Sequence, residues 1–254
     1  MGTTDATPDF GHETGDLGNE SGDIGHEHGD VNGGWLRPAV FGAMDGLVSN
    51  AALIAGVAGG TRDATDTSAV VLAGLAGLAA GAFSMAAGEY ASVASQAEAA
   101  EFEVEKERHE IITNPDAERA ELAEMLTERG LDAELAAQVA DQVHRDVDSA
   151  VAVHSMEEFG IDPDELARPG VAAVSSFVSF SLGAFVPVLP YLLGATVLWP
   201  AMALTLIALF VCGALVTRLT NRPWWYGGGR QALLGAAAFA ITYLVGIAVG
   251  EGVG

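Results

Sequence analysis

Glu107 and Glu110 lie three residues apart, Glu118 and Glu121 lie three apart, and Pro115 sits between the pairs. Residues three apart share a helix face, so this run offers two acidic faces joined by a bend. Carboxylate oxygens in that arrangement suit a hard or borderline divalent cation. Farther along, Met156, Glu157 and Glu158 add a thioether and two more carboxylates that could complete such a site. His109 and His154 are near candidates, although surface histidines outnumber liganding ones. The plain alternative is a solvated acidic face on a chain that is acidic throughout.

A second set lies in apolar sequence. Asp45 stands in GAMDGLVSN, and Met85 and Glu89, four apart, share one face of the helix expected there. An ionisable residue within a membrane is costly and therefore a functional candidate. A carboxylate and a thioether on one helix, facing a carboxylate on another, suit a borderline cation such as Fe(II) or Mn(II). Carboxylates also exchange protons, so metal entry can displace protons. Other roles stay open: Asp45 capping a helix break near Gly46, Met85 filling core, and Glu89 solvated at the interface.

The elements that position these residues follow from composition. Half of the 254 residues are apolar and mean hydropathy is +0.32, yet the formal net charge is −23. The two facts agree if apolar residues form membrane spans and acidic ones lie outside. Of 34 acidic residues, 8 fall in residues 1–34 and 21 in 96–168. So acidic a chain does not bind nucleic acid through phosphates; cations are its natural partners. One lysine against ten arginines fits a salt-rich prokaryotic cytoplasm. The single cysteine, Cys212, excludes a disulfide within the chain and reads as a packing residue.

Residues 1–34 carry a seven-residue repeat (GHETGDL, GNESGDI, GHEHGDV) and no lysine or arginine. Such a tail cannot bury a core and is expected to be disordered. It lacks the basic start and apolar region of a signal peptide. Its histidines, His12, His26 and His28, stand beside acids and could hold metal weakly.

Five spans are expected by length, near 36–59, 69–95, 170–193, 195–217 and 230–250. The fold class is thus an all-α membrane protein of five transmembrane helices. Its parts are the tail 1–34, spans one and two in 35–95, a helical metal-binding insert in 96–168, and spans three to five in 169–254. Orientation follows from the basic residues. With the N-terminus cytoplasmic, ten of them are inside and only Arg62 is outside, which makes the insert cytoplasmic and the C-terminus external. Residues 96–112 contain no helix breaker, so the second span continues outward as one rod. Pro115 interrupts it, and Asn114 or Asp116 could cap a helix over 116–129 that stops at Gly130. A third insert helix is expected over 132–159, ending at Gly160. Pro187 and Pro190 should kink the third span.

Four stretches in order, DGLVSNAALIAGVAGG, AGAFSMAAGEYASVASQ, the Glu-x-x-Glu pairs of the insert and GAFVPVLPY, resemble the vacuolar iron transporter family over roughly residues 36–250. The resemblance implies a homodimeric antiporter that moves Fe(II), and Mn(II) as a second cargo, out of the cytosol against protons, with no prosthetic group. It implies that Asp45 and Met85 line a path between the first spans of two protomers. It further implies that Glu107, Glu110, Glu118, Glu121, Met156 and Glu157 bind metal. Two positions depart from plant-type members: Gly77 and Gly160 stand where those carry glutamate, with Glu158 a substitute for the second. The expectation is a proton-coupled Fe(II) exporter of a prokaryotic plasma membrane, with Asp45, Met85 and Glu89 as its path. The alternatives are a membrane-tethered ferroxidase or iron-storage enzyme, and a metal sensor without transport.

Overall fold

The structure is a computed structural model that describes residues 34–61, 67–217 and 222–252. Every regular element among them is helical. Helix α1 spans Leu36–Gly60, and α2 runs unbroken from Ser68 to Thr113. Then come α3 (Pro115–Glu128), α4 (Ala133–Val143) and α5 (Val147–His154), which passes into a π-helical turn, Ser155–Phe159. The remainder is α6 (Pro169–Phe185), the single turn α7 (Leu189–Leu192), α8 (Trp199–Val216) and α9 (Trp224–Gly252). Helices α1, α2, α8 and α9 are long and apolar enough to cross a membrane, which makes this an integral membrane protein. The expected tail, apart from Gly34, lies outside the described residues, as do Arg62 and Arg218.

Helix α1 is the hub, touching α2, α6, α8 and α9. Between helices in lipid there is little hydrophobic drive, so close backbone packing decides association. A Cβ on Gly46 would strike the backbone of Phe180 and Ala184 in α6, and one on Gly246 of α9 would strike that of Gly56. Residue numbers rise together across the α1–α6 and α1–α9 contacts and oppose across α1–α2 and α8–α9. So α1, α6 and α9 run parallel, with α2 and α8 reversed. Leu47, Ala51, Ala52 and Ala55 of α1 meet Leu209 and Phe239 in one core cluster, and Ile54 meets Val70, Val188, Tyr191 and Ala201 in another.

The stretch expected as one span over 170–193 is instead α6 and α7 with a break at residues 186–188. Pro187 has no N–H, and its ring disfavours continued helix against Gly183, four residues back. Backbone bonds tighten there: Val186 N–H donates to Gly183 O (3.2 Å) and Val188 N–H to Phe185 O (3.1 Å). Ala184 O thereby loses its helical donor. Asn50 of α1, itself buried, supplies the replacement, Nδ2–H to Ala184 O at 2.6 Å. In lipid a freed carbonyl needs such a protein partner. Helix α8 also starts later than expected, at Trp199, after Gly194 turns the chain at φ +95°.

The rod is confirmed: α2 has 46 residues, about 69 Å at the α-helical rise. The rod stops before Pro115 as expected, and Pro115 itself opens α3; Asn114 makes no side-chain cap, and its carbonyl accepts from Ala117 N–H (3.0 Å) and Glu118 N–H (3.2 Å). The helix expected over 132–159 is three pieces. Asp146 breaks it by capping a new start, accepting from Ser149 N–H (3.0 Å) and Ser149 Oγ–H (2.8 Å). The π turn then ends at Gly160, left-handed at φ +66°.

Candidate metal centre

The outer end of α2 carries Glu107 and Glu110, α3 carries Glu118 and Glu121, and α5 with its π turn carries His154 and Glu158. Apolar contacts bring these elements together. Ile111 of α2 packs on Ala150 and Val151 of α5, and Leu122 of α3 is fully buried. Arg108 Nη1 pairs with Asp148 Oδ1 at 2.7 Å across α2 and α5, and Arg119 Nε with Asp141 Oδ1 at 3.2 Å across α3 and α4. Exposed pairs contribute only ~0–1 kcal/mol each, so they trim the geometry that the apolar contacts set.

Three groups converge. His154 Nδ1 lies 3.0 Å from Glu107 Oε1 and 3.3 Å from Glu158 Oε1. One ligand atom from each of Glu107, His154 and Glu158 falls within 4.8 Å of the others. His154 is 0 % exposed, Glu107 2 % and Glu118 8 %, whereas Glu158 faces solvent. Burial, then the neighbouring charges of Glu158, Glu118, Glu110 and Glu121, push the Glu107 carboxyl up to about 7. Burial and then Glu121 likewise raise Glu118, with His154 opposing. Like charges held this close disfavour ionisation until a cation joins them. The arrangement is chemically able to hold a divalent ion through oxygen and nitrogen.

Other expected ligands sit differently. Glu110 lies 3.9 Å from Lys106 Nζ, and Glu121 is exposed. Glu157 Oε2 is engaged by Arg129 Nη2 at 2.6 Å, and Met156 is 46 % exposed. His154, named with His109 as a near candidate, lies at the centre. Its legible signal was the four-residue step to Glu158 behind the apolar pair Ala150–Val151. His144 stacks edge-to-face on it, centroids 5.1 Å apart, with its own Nδ1–H donated to Ala140 O at 2.9 Å. His109 is exposed.

Within the membrane helices, Asp45 sits in an uninterrupted stretch of α1, so it caps no break at Gly46. Met85 packs beside Ala82, Phe180 and Ala184, and Glu89 is half-buried one turn farther along α2. Among the described residues no hydrogen bond or ion pair links Asp45 to Met85 or Glu89. Eighteen residues separate Glu89 from Glu107, about 27 Å along one continuous helix.

Comparison with known proteins agrees with this architecture. Residues 36–247 match the model of the VIT family. A vacuolar iron transporter of Acanthamoeba castellanii is 37% identical over 221 residues, covering 84% of this chain and 78% of that protein. Vacuolar iron transporter 1 of Oryza sativa subsp. japonica is 32% identical over 212 residues, 82% of each chain. Vacuolar iron transporter 1 of Arabidopsis thaliana is 29% identical over 211 residues, 82% of this chain and 83% of that one. With the match spanning all the apolar helices and the acidic segment between them, the chain belongs to the VIT family.

Proposed function

We propose that this protein transports Fe(II) out of the cytoplasm in exchange for protons, with Mn(II) as a second ion that its carboxylates accept. The observation that carries the reading is the cluster of buried Glu107, Glu118 and His154 with Glu158 at its solvent edge, in which Glu107 stands on the same helix as Met85 and Glu89. Relatives named vacuolar iron transporters support iron as the cargo.

In this reading α6 and α7 together make a fifth crossing, and residues 96–168 form a cytoplasmic collecting domain. Alternating helix directions and the clustering of basic residues at one side support that topology. Metal is gathered by Glu107, Glu110, Glu118, Glu121 and Glu158, with Met156 and Glu157 at the entrance. It then passes to Asp45, Met85 and Glu89. A second protomer supplies the facing Asp45. Protons return through the carboxylates that the metal leaves. The acidic, lysine-poor composition supports a prokaryotic plasma membrane, with the N-terminus inside and the C-terminus outside.

The test is uptake of Fe(II), Mn(II), Co(II) and Zn(II) by proteoliposomes under an imposed pH gradient. Fe(II) flux that grows with the gradient is expected. Sealed vesicles with no Fe(II) flux at any gradient would sink the reading, and oxygen consumption on adding Fe(II) would replace it with a ferroxidase.

A further inference from the structure

Two carboxylate oxygens converge on one imidazole nitrogen in this insert. Nδ1 of His154 has a single proton or a single lone pair to offer. It satisfies Glu158 Oε1 at 3.3 Å, but Glu107 Oε1, 3.0 Å away, is misaligned for a hydrogen bond and is buried with no hydrogen-bond partner. A buried acceptor without a donor is costly. The mismatch at the carboxylates is relieved if a cation takes the proton's place: the ring proton then sits on Nε2, Nδ1 turns its lone pair on the ion, and both oxygens find the same positive centre. The spacing permits it: two ligands on a first-row ion, each bonded at about 2.0–2.2 Å, lie roughly 3–3.5 Å apart. Nε2 of His154 is shut in without a partner, and His144 packs across the ring, so Nδ1 is the only nitrogen turned to the carboxylates. Glu158, at the solvent edge, is the side from which an ion enters.

We propose that His154 is a metal ligand, so that Glu107, His154 and Glu158 form a mixed nitrogen–oxygen site that prefers borderline divalent ions over Mn(II). The inference deepens the transport reading and rests on it. All-carboxylate sites accept Mn(II), Mg(II) and Ca(II) readily, whereas an imidazole ligand favours ions later in the first-row series, such as Fe(II), Co(II) and Zn(II). The collecting domain thereby ranks its cargo before the membrane path is reached. His154 is a selectivity residue in this view, and Glu107 supplies affinity to every ion alike.

The experiment uses full-length protein in detergent, with Co(II) as the air-stable stand-in for Fe(II) and Mn(II) as the competitor. His12→Gln, His26→Gln, His28→Gln and His109→Gln are introduced together, leaving His144 and His154 as the imidazoles. This background should bind Co(II) more tightly than Mn(II) by calorimetry. Adding His154→Gln should lower Co(II) affinity by at least ~10-fold and Mn(II) affinity far less, so their ratio collapses. Adding Glu107→Gln instead should weaken both and keep the ratio. If His154→Gln leaves the ratio unchanged while Glu107→Gln weakens both ions, His154 is no ligand, and the transport reading survives. If the background binds neither ion, both readings fall. A measurement without the His154 variant guards against misfolding. Spin-echo spectra of the Mn(II)-loaded background should show coupling to a coordinated imidazole nitrogen, and its absence overturns the proposal.

Discussion

The insert and the membrane helices both carry acids, but they treat them in opposite ways. In the insert, carboxylates are drawn together beside the packed Ile111, Ala150 and Val151, where burial and then one another's charge raise the proton affinity of Glu107. In the membrane, Asp45, Met85 and Glu89 stand on two helices, and among the described residues no hydrogen bond or ion pair links them. A collecting site gains from assembly before its ion arrives, because little ordering entropy is lost on binding. A path must let the ion go, so binding that is too well assembled would stall it. In the proposed transport cycle one residue type would thus serve capture or passage, according to how firmly its neighbours are held.

The division can be broken first at Asp45. Asp45→Asn should take Fe(II) flux in proteoliposomes to background while metal binding to detergent-solubilised protein keeps its wild-type affinity; flux near wild type would remove Asp45 from the path. The next largest effect belongs to Glu107→Gln. Loss of this buried carboxylate should weaken metal binding by at least the ~10–100-fold seen for supporting residues, read by calorimetry. An unchanged affinity would place capture elsewhere.

A third effect is set by pH. Glu107 is raised from its ordinary 4.5 to about 7, so the folded chain holds a proton that the unfolded chain releases. This group's contribution to the stability of the metal-free protein is fully present below 4.5 and is lost as pH rises through about 7. Metal binding runs the other way and tightens over the same window, since the proton must leave first. Melting curves of metal-free wild type and Glu107→Gln should therefore diverge with rising pH, the variant gaining; parallel curves would refute the assignment. The smallest effect is Asn50→Leu, which removes the bond to Ala184 O at the α6 break. Polar bonds between membrane helices average about 0.6 kcal/mol, so a slight drop in unfolding midpoint with flux retained is expected. Abolished flux would draw Asn50 into the path.

Much of this plan is legible in the residues, and the exceptions have physical reasons. The absence of glycine or proline over 96–112 foretold the rod, and Pro115 and Gly130 marked the ends of α3. The break at Asp146 was hidden because aspartate is tolerated within a helix as well as at its start, and only the bond to Ser149 decides. The π turn was hidden too. Within it Glu158 meets His154 and Glu107 while Glu157 turns to Arg129. Burial of His154 depended on α2 lying against α5, a contact between residues more than thirty positions apart. The break at Pro187 was foreseen as a kink; that it would split off a separate turn depended on Asn50 standing opposite to receive the freed carbonyl.

An unbroken α2 also makes the protein a lever. A tilt of about 5° at Glu89 displaces Glu107 by roughly 2 Å across the 27 Å between them, close to a metal–oxygen bond length. Bilayer thickness alters helix tilt. If the insert gathers metal as proposed, the lipid surroundings reach its carboxylates mechanically, and vesicles of thinner or thicker lipid should retune cargo affinity with no residue changed.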